Sequence, residues 1–521
     1  MHSPDETATG AASASGAAFG AITSMSNSVL SRRSVIRGGV AGAALIGLGG
    51  LLAACSPRGG ASTAAGGAAK LTHWDWWVSQ EPWIKNEIAL FQKANAGVTI
   101  TRTLNQFDQY ANLIALAQRS HTLPDTYMLP YVPSLPDQVA GDWLTPLNSY
   151  IDDAWIKSFP KYSFVEGVNV FDGKVYTAPV TATAPGFQLY INNKIFKDAG
   201  LVDGSGDVLI PSTWDDVTKY AEAISKKGNG SVYGLGLGSN GGAIFNAWVN
   251  TFLLGAGSPG GYNLPDYRTG EFTYGTDSNY ADFISLLVDW YKKGFLSPDA
   301  LSATDEVSRA NFASGKYGMI VGGSYVISPW VEAGFTDFSV TTLISPTEKK
   351  AGYFQSTPGG FMLGVSSDTK HADEAFSWLS WWASKDAGAR FTQKYNIDLS
   401  VHPENNEPSK ISSKQFGEYA SLVDLVRRAP SPAILNPDVR KVKTASVTPG
   451  LRDIIVGVLT EQITDVPGAL NSLSDASNAA LDTGIAEAVA GGAKVSRKDY
   501  TFADWDLTTD YAHDIPEYPK L

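Results

Sequence analysis

From residue 70 onward, apolar and polar positions alternate in short runs, then change to helical spacing, and the change repeats. Lys70-Leu71-Thr72-His73-Trp74-Asp75-Trp76-Trp77 reads as a first strand that ends in aromatics, since a period of two sets one face on a core. Glu81-Pro82-Trp83 opens a helix over 81–93, residues 98–101 make a second strand, 108–119 a second helix, and 123–129 a loop that becomes a third strand. This βαβαβ rhythm predicts a parallel sheet with helices on both faces. Such sheets bind ligands beyond the carboxyl ends of their strands, and those ends carry Trp76, Trp77, Gln106 and Tyr131.

Further along, an extended stretch over 173–180 crosses a Pro- and Thr-rich segment and becomes a strand over 187–192, a plausible passage from one lobe to another. Helices are expected over 193–199, from the Thr213 cap with acids in its first turn, over 243–254 with Asn246 and Trp248, and over 280–293 up to Gly294. Residues 232–237 read as a strand. An amphipathic helix closes at Asn311-Phe312, and Gly315 is placed to end it, because glycine reaches positive φ without steric penalty. An apolar strand over 317–321 then stops at Gly322-Gly323, with Ser324 and Tyr325 just beyond, where a glycine turn would let a ligand approach the backbone. Residues 338–344 make another strand, and Gly359-Gly360 pairs a glycine turn with a strand reaching Val365. Trp378, Trp381 and Trp382 fall on a helix over 372–383 and read as packing; 404–490 looks largely helical. Phe502, Trp505 and Tyr511 would pin the tail back onto the body.

The N-terminal stretch has a different character. Residues 1–30 are Ala, Ser, Gly and Thr with little pattern, and Met25 is an alternative start. Ser31-Arg32-Arg33-Ser34-Val35-Ile36-Arg37 precedes an uncharged run over 38–54. A charged segment, a short apolar segment and small residues at a cleavage point make an export signal. The paired Arg32 and Arg33 resemble a twin-arginine signal, and Leu52-Ala53-Ala54-Cys55 resembles a lipobox in which Cys55 is diacylated. Two acyl chains give firm anchoring at about 0.8 kcal/mol per buried CH₂. The expected layout is an export signal over 1–54, a flexible tether over 55–69, lobe 1 over 70–182 and 348–400, lobe 2 over 183–347 and 401–490, and a packed tail over 491–521.

Composition narrows the classes. With 521 residues and 43% hydrophobic content the chain is long enough for two cored lobes or one very large domain. A net charge of −12 with no basic stripe argues against nucleic acid. One cysteine leaves no internal disulfide and no cysteine metal site. Of the fourteen tryptophans and 22 tyrosines most are expected in the core, but that many amphipathic rings can also line a groove.

In this order, Trp74-Asp75-Trp76-Trp77, Pro124-Asp125-Thr126, Tyr190-Ile191-Asn192-Asn193-Lys194 with Ala199-Gly200-Leu201, Pro211-Ser212-Thr213-Trp214-Asp215, Phe312-Ala313-Ser314-Gly315-Lys316-Tyr317-Gly318-Met319 and Gly359-Gly360-Phe361 resemble the family 1 extracellular solute-binding proteins of bacterial ABC transporters. That group includes the carbohydrate-binding relatives of the maltose-binding protein. The resemblance spans roughly residues 70–480. It implies an α/β, two-lobe periplasmic-binding-protein-like fold: each lobe a mainly parallel sheet flanked by helices, a multi-segment hinge between them, and solute bound in the interlobe cleft. Together with the export signal and lipobox it leads to the expectation of a lipid-anchored, exported, monomeric receptor without cofactor or metal, touching the membrane through its anchor alone and serving ABC permease subunits. A sugar or oligosaccharide suits the composition, since a pyranose offers an apolar face to stack and hydroxyls that need donors and acceptors. The expected stacking residues are Trp76, Trp77, Trp248 and Tyr325, with Tyr131 at a strand end. The expected hydroxyl partners are Glu81, Gln106, Thr183, Asn246 and Ser324, with backbone groups at Gly359 and Gly360.

Two other classes compete. A secreted glycoside hydrolase needs two positioned carboxylates, and 52 acids leave room for a pair. A binder of a peptide, polyamine or metal would show fewer cleft aromatics and more cleft acids. Dinucleotide binding is weak: Gly236-Leu237-Gly238-Ser239-Asn240-Gly241 fits G-x-G-x-x-G, but the next acid is Asp266, too far on. The six histidines are scattered, so no catalytic metal is expected.

Overall fold

The computed structural model describes residues 69–521 except 79, 183, 239, 241, 242, 358, 512–514 and 521. The export signal with Arg32 and Arg33, the lipobox Cys55, the tether before residue 69 and Thr183 therefore lie outside the described residues.

Along the described chain the strands are β1 (Ala69–Asp75), β2 (Val98–Leu104), β3 (Thr126–Met128), β4 (Val170–Phe171), β5 (Lys174–Val175), β6 (Gln188–Asn192), β7 (Tyr233–Gly236), β8 (Tyr317–Gly322), β9 (Phe338–Val340), β10 (Phe354–Ser356), β11 (Leu363–Val365) and β12 (Val426–Arg428). One sheet has the order β11-β3-β1-β2, with β2 and β3 parallel to β1 and β11 antiparallel to β3. The other has the order β7-β8-β6-β9, with β7 parallel to β8 and β6 opposed to both β8 and β9. Each sheet thus holds a single reversed strand. The helices between strands pack on the faces, as in α/β proteins generally.

Each sheet has its own core. Around the first gather Leu71, Trp83, Phe91, Tyr127, Trp378 and Trp382; around the second, Ile191, Trp248, Phe252, Trp290, Met319 and Val321. The alternation read in β1 is real: Ala69, Leu71, His73 and Asp75 are buried and Lys70 and Thr72 exposed. Every residue of β8 is buried, which explains its unbroken apolar run. The helix Trp214–Gly228 starts with Thr213 and Asp216 in a capping box. The helix Asp305–Ala313 is followed by Gly315 at φ +83° with open space around its Cβ position, so backbone freedom alone calls for glycine there.

The chain passes between the sheets over residues 180–188, 340–363 and 401–414. Ala182 donates to the Leu399 carbonyl and Val401 to the Val180 carbonyl, both at 2.9 Å, and β10 pairs with β12 alongside. These two ladders form the hinge floor. The region after residue 400 is less helical than its composition suggests: short 3₁₀ turns and β12 precede the helices Leu451–Leu459 and Val466–Ala490.

The tail is a strap. Phe502 N–H donates to the Tyr267 carbonyl on the second lobe. Tyr511 N–H then donates to Arg428 at 2.9 Å, and Arg427 Nε to the Thr508 carbonyl at 2.7 Å, both on the hinge strand β12. Past the undescribed 512–514, Glu517 accepts from Tyr162 N–H and pairs with Lys161 at 2.7 Å, on the first lobe.

Candidate functional site

Between the lobes lies a cleft of about 760 Å³, within the roughly 300–1,000 Å³ usual for ligand sites. Its first wall stands at the ends of β1 and β3. Buried Asp75 closes β1: it accepts from Trp77 N–H at 2.9 Å and from Arg102 Nη2 at 2.7 Å, and the same Arg102 nitrogen reaches the Trp77 carbonyl at 3.0 Å. That clamp fixes the Trp76-Trp77 backbone. Trp77 stacks on Trp382 with centroids 5.8 Å apart and planes 21° apart. Trp76 leans on Tyr110 at 4.7 Å, and the Tyr110 hydroxyl donates to the carbonyls of Trp74 and Met128, joining the two strand ends. Tyr131, 53% exposed, sits on the lip with its ring 6.1 Å from Phe361.

The floor comes from the hinge: Thr181 and Ala182, Gln355 and Ser356 of β10, Thr357, and Ala429-Pro430-Ser431 after β12. Gly359 and Gly360 belong to it as well. Gly359 has φ +81°, and a Cβ there would stand 2.8 Å from Val168; a Cβ on Gly360 would stand 2.9 Å from Pro179. Gly359 N–H is taken by the Tyr162 carbonyl, and the Gly360 carbonyl accepts from Asn169 Nδ2. The glycines thus allow the floor to fold back on its own lobe.

The second wall is built from the helix Ala243–Gly255 and the loop after it. Asn250, Leu254, Asn263, Leu264 and Tyr267 line it. Asn250 Oδ1 accepts from Tyr262 N–H at 2.8 Å, which shapes the loop. Burial pushes the Tyr267 hydroxyl up to about 12, so it stays a neutral donor. Trp505 of the strap completes the wall.

Of the residues singled out from sequence, the structure brings Trp76, Trp77, Tyr131, Gly359 and Gly360 together in the cleft. Thr183 lies outside the described residues, and the remaining ones lie elsewhere. Trp248 is 1% exposed and stacks on Phe252 at 5.7 Å with planes 3° apart, because its helix turns that face to the core. Asn246, two residues earlier, lies outside the lining, its Oδ1 buried without a hydrogen-bond partner among the described residues. Glu81 pairs with Lys85 at 2.7 Å on the helix surface, and that contact lowers its pKa. The Gln106 carbonyl accepts from Tyr110 N–H at 3.0 Å to start the helix Phe107–Arg119, outside the lining. Ser324 opens a 3₁₀ turn, and Tyr325 faces Asp305 and Arg309, away from the cleft. Gly322 and Gly323 admit neighbouring side chains rather than a ligand: a Cβ on Gly323 would stand 2.7 Å from the Tyr325 ring. Gln355, Asn250, Asn263, Tyr267 and Trp505 are among the cleft residues that sequence reasoning missed. Gln355 had a signal in its place beside the glycine turn; the loop and tail residues had none.

Among the described residues lining the cleft, none is charged. The surface combines tryptophan, tyrosine and phenylalanine with aliphatic side chains, amides and hydroxyls, able to stack on a ring and exchange neutral hydrogen bonds. The carboxylate pair of a glycosidase is not in that lining, and no metal-binding group of His, Cys, Asp or Glu occurs among the described residues. A second cavity of about 510 Å³ shares Thr181, Ala182, Ser356 and Gly359 with the cleft but is charged, with Lys161, Glu407, Arg428 and Asp510.

Comparison with known proteins agrees with this architecture. The family model described as bacterial extracellular solute-binding protein matches residues 77–389. A binding protein of Brucella abortus is 25% identical over 397 residues, covering 73% of this chain and 88% of its own. The multiple sugar-binding protein of Streptococcus mutans is 26% identical over 249 residues, covering 45% of this chain and 54% of its own. Among solved structures, the GacH receptor of Streptomyces glaucescens, determined unliganded and with acarbose, superposes with TM-score 0.59 at 18% identity over 80% of this chain and 98% of that one. The maltose/maltodextrin-binding domain of Bdellovibrio bacteriovorus bound to maltotriose gives 0.56 at 15% identity over 78% and 98%.

Proposed function

The chain belongs to the bacterial extracellular solute-binding proteins, and on that premise we propose that it binds a neutral sugar or oligosaccharide between its lobes and delivers it to the permease of an ABC import system. The observation that carries this reading is a cleft lined by aromatic rings and neutral polar groups without a charged side chain among its described residues. Trp76, Trp77 and Tyr131 are the stacking faces; Asn250, Asn263 and Gln355 exchange hydrogen bonds with hydroxyls. The solute has to interact better with closed lobes than with open ones, or closure has no cause. The sugar-binding relative and the acarbose and maltotriose complexes of structural neighbours support the same ligand class.

A thermal-shift panel tests it: maltotriose, raffinose and monosaccharides against spermidine and a charged tripeptide. A ligand at a hundred times its Kd adds about 2.7 kcal/mol to folded-state stability, so a neutral saccharide should raise the melting temperature by several degrees. A shift with spermidine or the tripeptide alone would refute the reading. Lipid anchoring through Cys55 belongs to the same proposal; Cys55→Ala should release the exported protein from the membrane fraction, and unchanged membrane retention would count against it.

A further inference from the structure

The strap runs past the cleft, and one of its residues is part of the wall. Trp505 lines the cleft and is 5% exposed. Its ring lies 6.4 Å from Tyr267 at 43°, within a small cluster of Phe502, Leu507, Tyr511 and Ala429. Trp248, Trp378, Trp382 and Trp505 each have a buried Nε1 without a hydrogen-bond partner among the described residues. The first three sit in the two lobe cores; Trp505 alone of the four lines the cleft. A buried donor without an acceptor is unfavourable, and an indole N–H generally finds a partner when buried. A ligand oxygen arriving in the cleft supplies what the protein does not.

We propose that the C-terminal strap is a working part of the binding site: Trp505 and Tyr267 form an aromatic corner that takes one ring of a neutral saccharide, and Trp505 Nε1–H donates to an oxygen of that ring. The inclination of the two rings makes a corner rather than a flat shelf, so the subsite grips an edge that bears oxygen. Strap bonds to the Tyr267 carbonyl on one side and to β12 on the other hold Trp505 in register with the hinge floor. This rests on the neutral-saccharide reading above and names a residue that decides how tightly such a guest is held.

The test uses the complete exported protein and whichever neutral saccharide of the panel, maltotriose, raffinose or a monosaccharide, gives the largest thermal shift. Trp505→Phe keeps a ring and removes the donor; Kd by calorimetry should rise roughly 5- to 10-fold, as for one lost hydrogen bond to ligand. Its melting temperature without sugar should fall only by the few degrees expected of the smaller buried ring, since the donor has no partner to lose. A purely structural role gives that loss with an unchanged Kd. In the wild type, amide exchange over 502–511 should slow when the sugar is added, a readout that survives even a poorly folding variant. Wild-type affinity in Trp505→Phe, or unaltered exchange, overturns the proposal. If no neutral saccharide of the panel binds the wild type, the saccharide reading itself has failed, and the strap site falls with it.

Discussion

At the residue scale, two buried groups are displaced in opposite senses. Burial beside Trp378 and Trp382 lowers His73 to about 4, with the Asp75 carboxylate partly opposing. Burial at the hinge raises Asp398 to about 6, against the Leu399 N–H and Tyr419 hydroxyl that favour its charge. His73 is therefore neutral in the fold; its contribution is present above pH 6.5 and lost as pH falls toward 4, because the unfolded chain takes the proton first. Asp398 does the opposite: the folded chain holds the proton longer, so its contribution is present below about pH 4 and lost as pH rises through 6. The two slopes offset each other over pH 4–6. Asp398→Asn should be more stable than the wild type at pH 7 by about 2–3 kcal/mol, at roughly 1.4 kcal/mol per pKa unit, with the advantage gone near pH 4. Urea unfolding at both pH values checks this, and an equal difference at each would disprove it. The same scale shows what single residues reveal. Trp76 and Trp77 were legible because a strand end fixes where they stand. Trp248 was not, because the helix Ala243–Gly255 is apolar on nearly every side and its sequence does not say which face meets solvent.

At the scale of elements, periodicity located β1, the helix Glu81–Ala94, β8 and the helix Ala372–Trp382 within a residue or two. It failed at β12 and the turns before it, where three-residue strands among prolines and charges carry no period to read. Two of the positive-φ glycines, Gly315 and Gly359, separate backbone from packing. Gly315→Ala, in open space, should cost about 1 kcal/mol from the left-handed backbone alone. Gly359→Ala adds a contact with Val168 and should cost about 2–4 kcal/mol. Equal losses of stability in the two variants would show that the floor yields to the extra methyl.

At the scale of the whole molecule, two cores flanking a hinge follow from the rhythm of strands and helices together with the family resemblance, whereas the strap does not. Its anchor points on Tyr267, Arg428 and Tyr162 are up to hundreds of residues away in sequence, and no local pattern encodes a pairing so remote. The neutrality of the cleft was invisible for the same reason, since it depends on which loops meet. That neutrality has a consequence for capture. The full chain carries −12 overall, yet an uncharged guest feels no long-range pull from that charge, and the pocket lining offers no counter-ion to displace. Encounter is left to diffusion and docking, without the ionic-strength dependence of steered association. Stopped-flow association rates with a neutral saccharide should agree within about twofold between 10 mM and 500 mM sodium chloride, so capture by this cleft would be indifferent to the salinity around it.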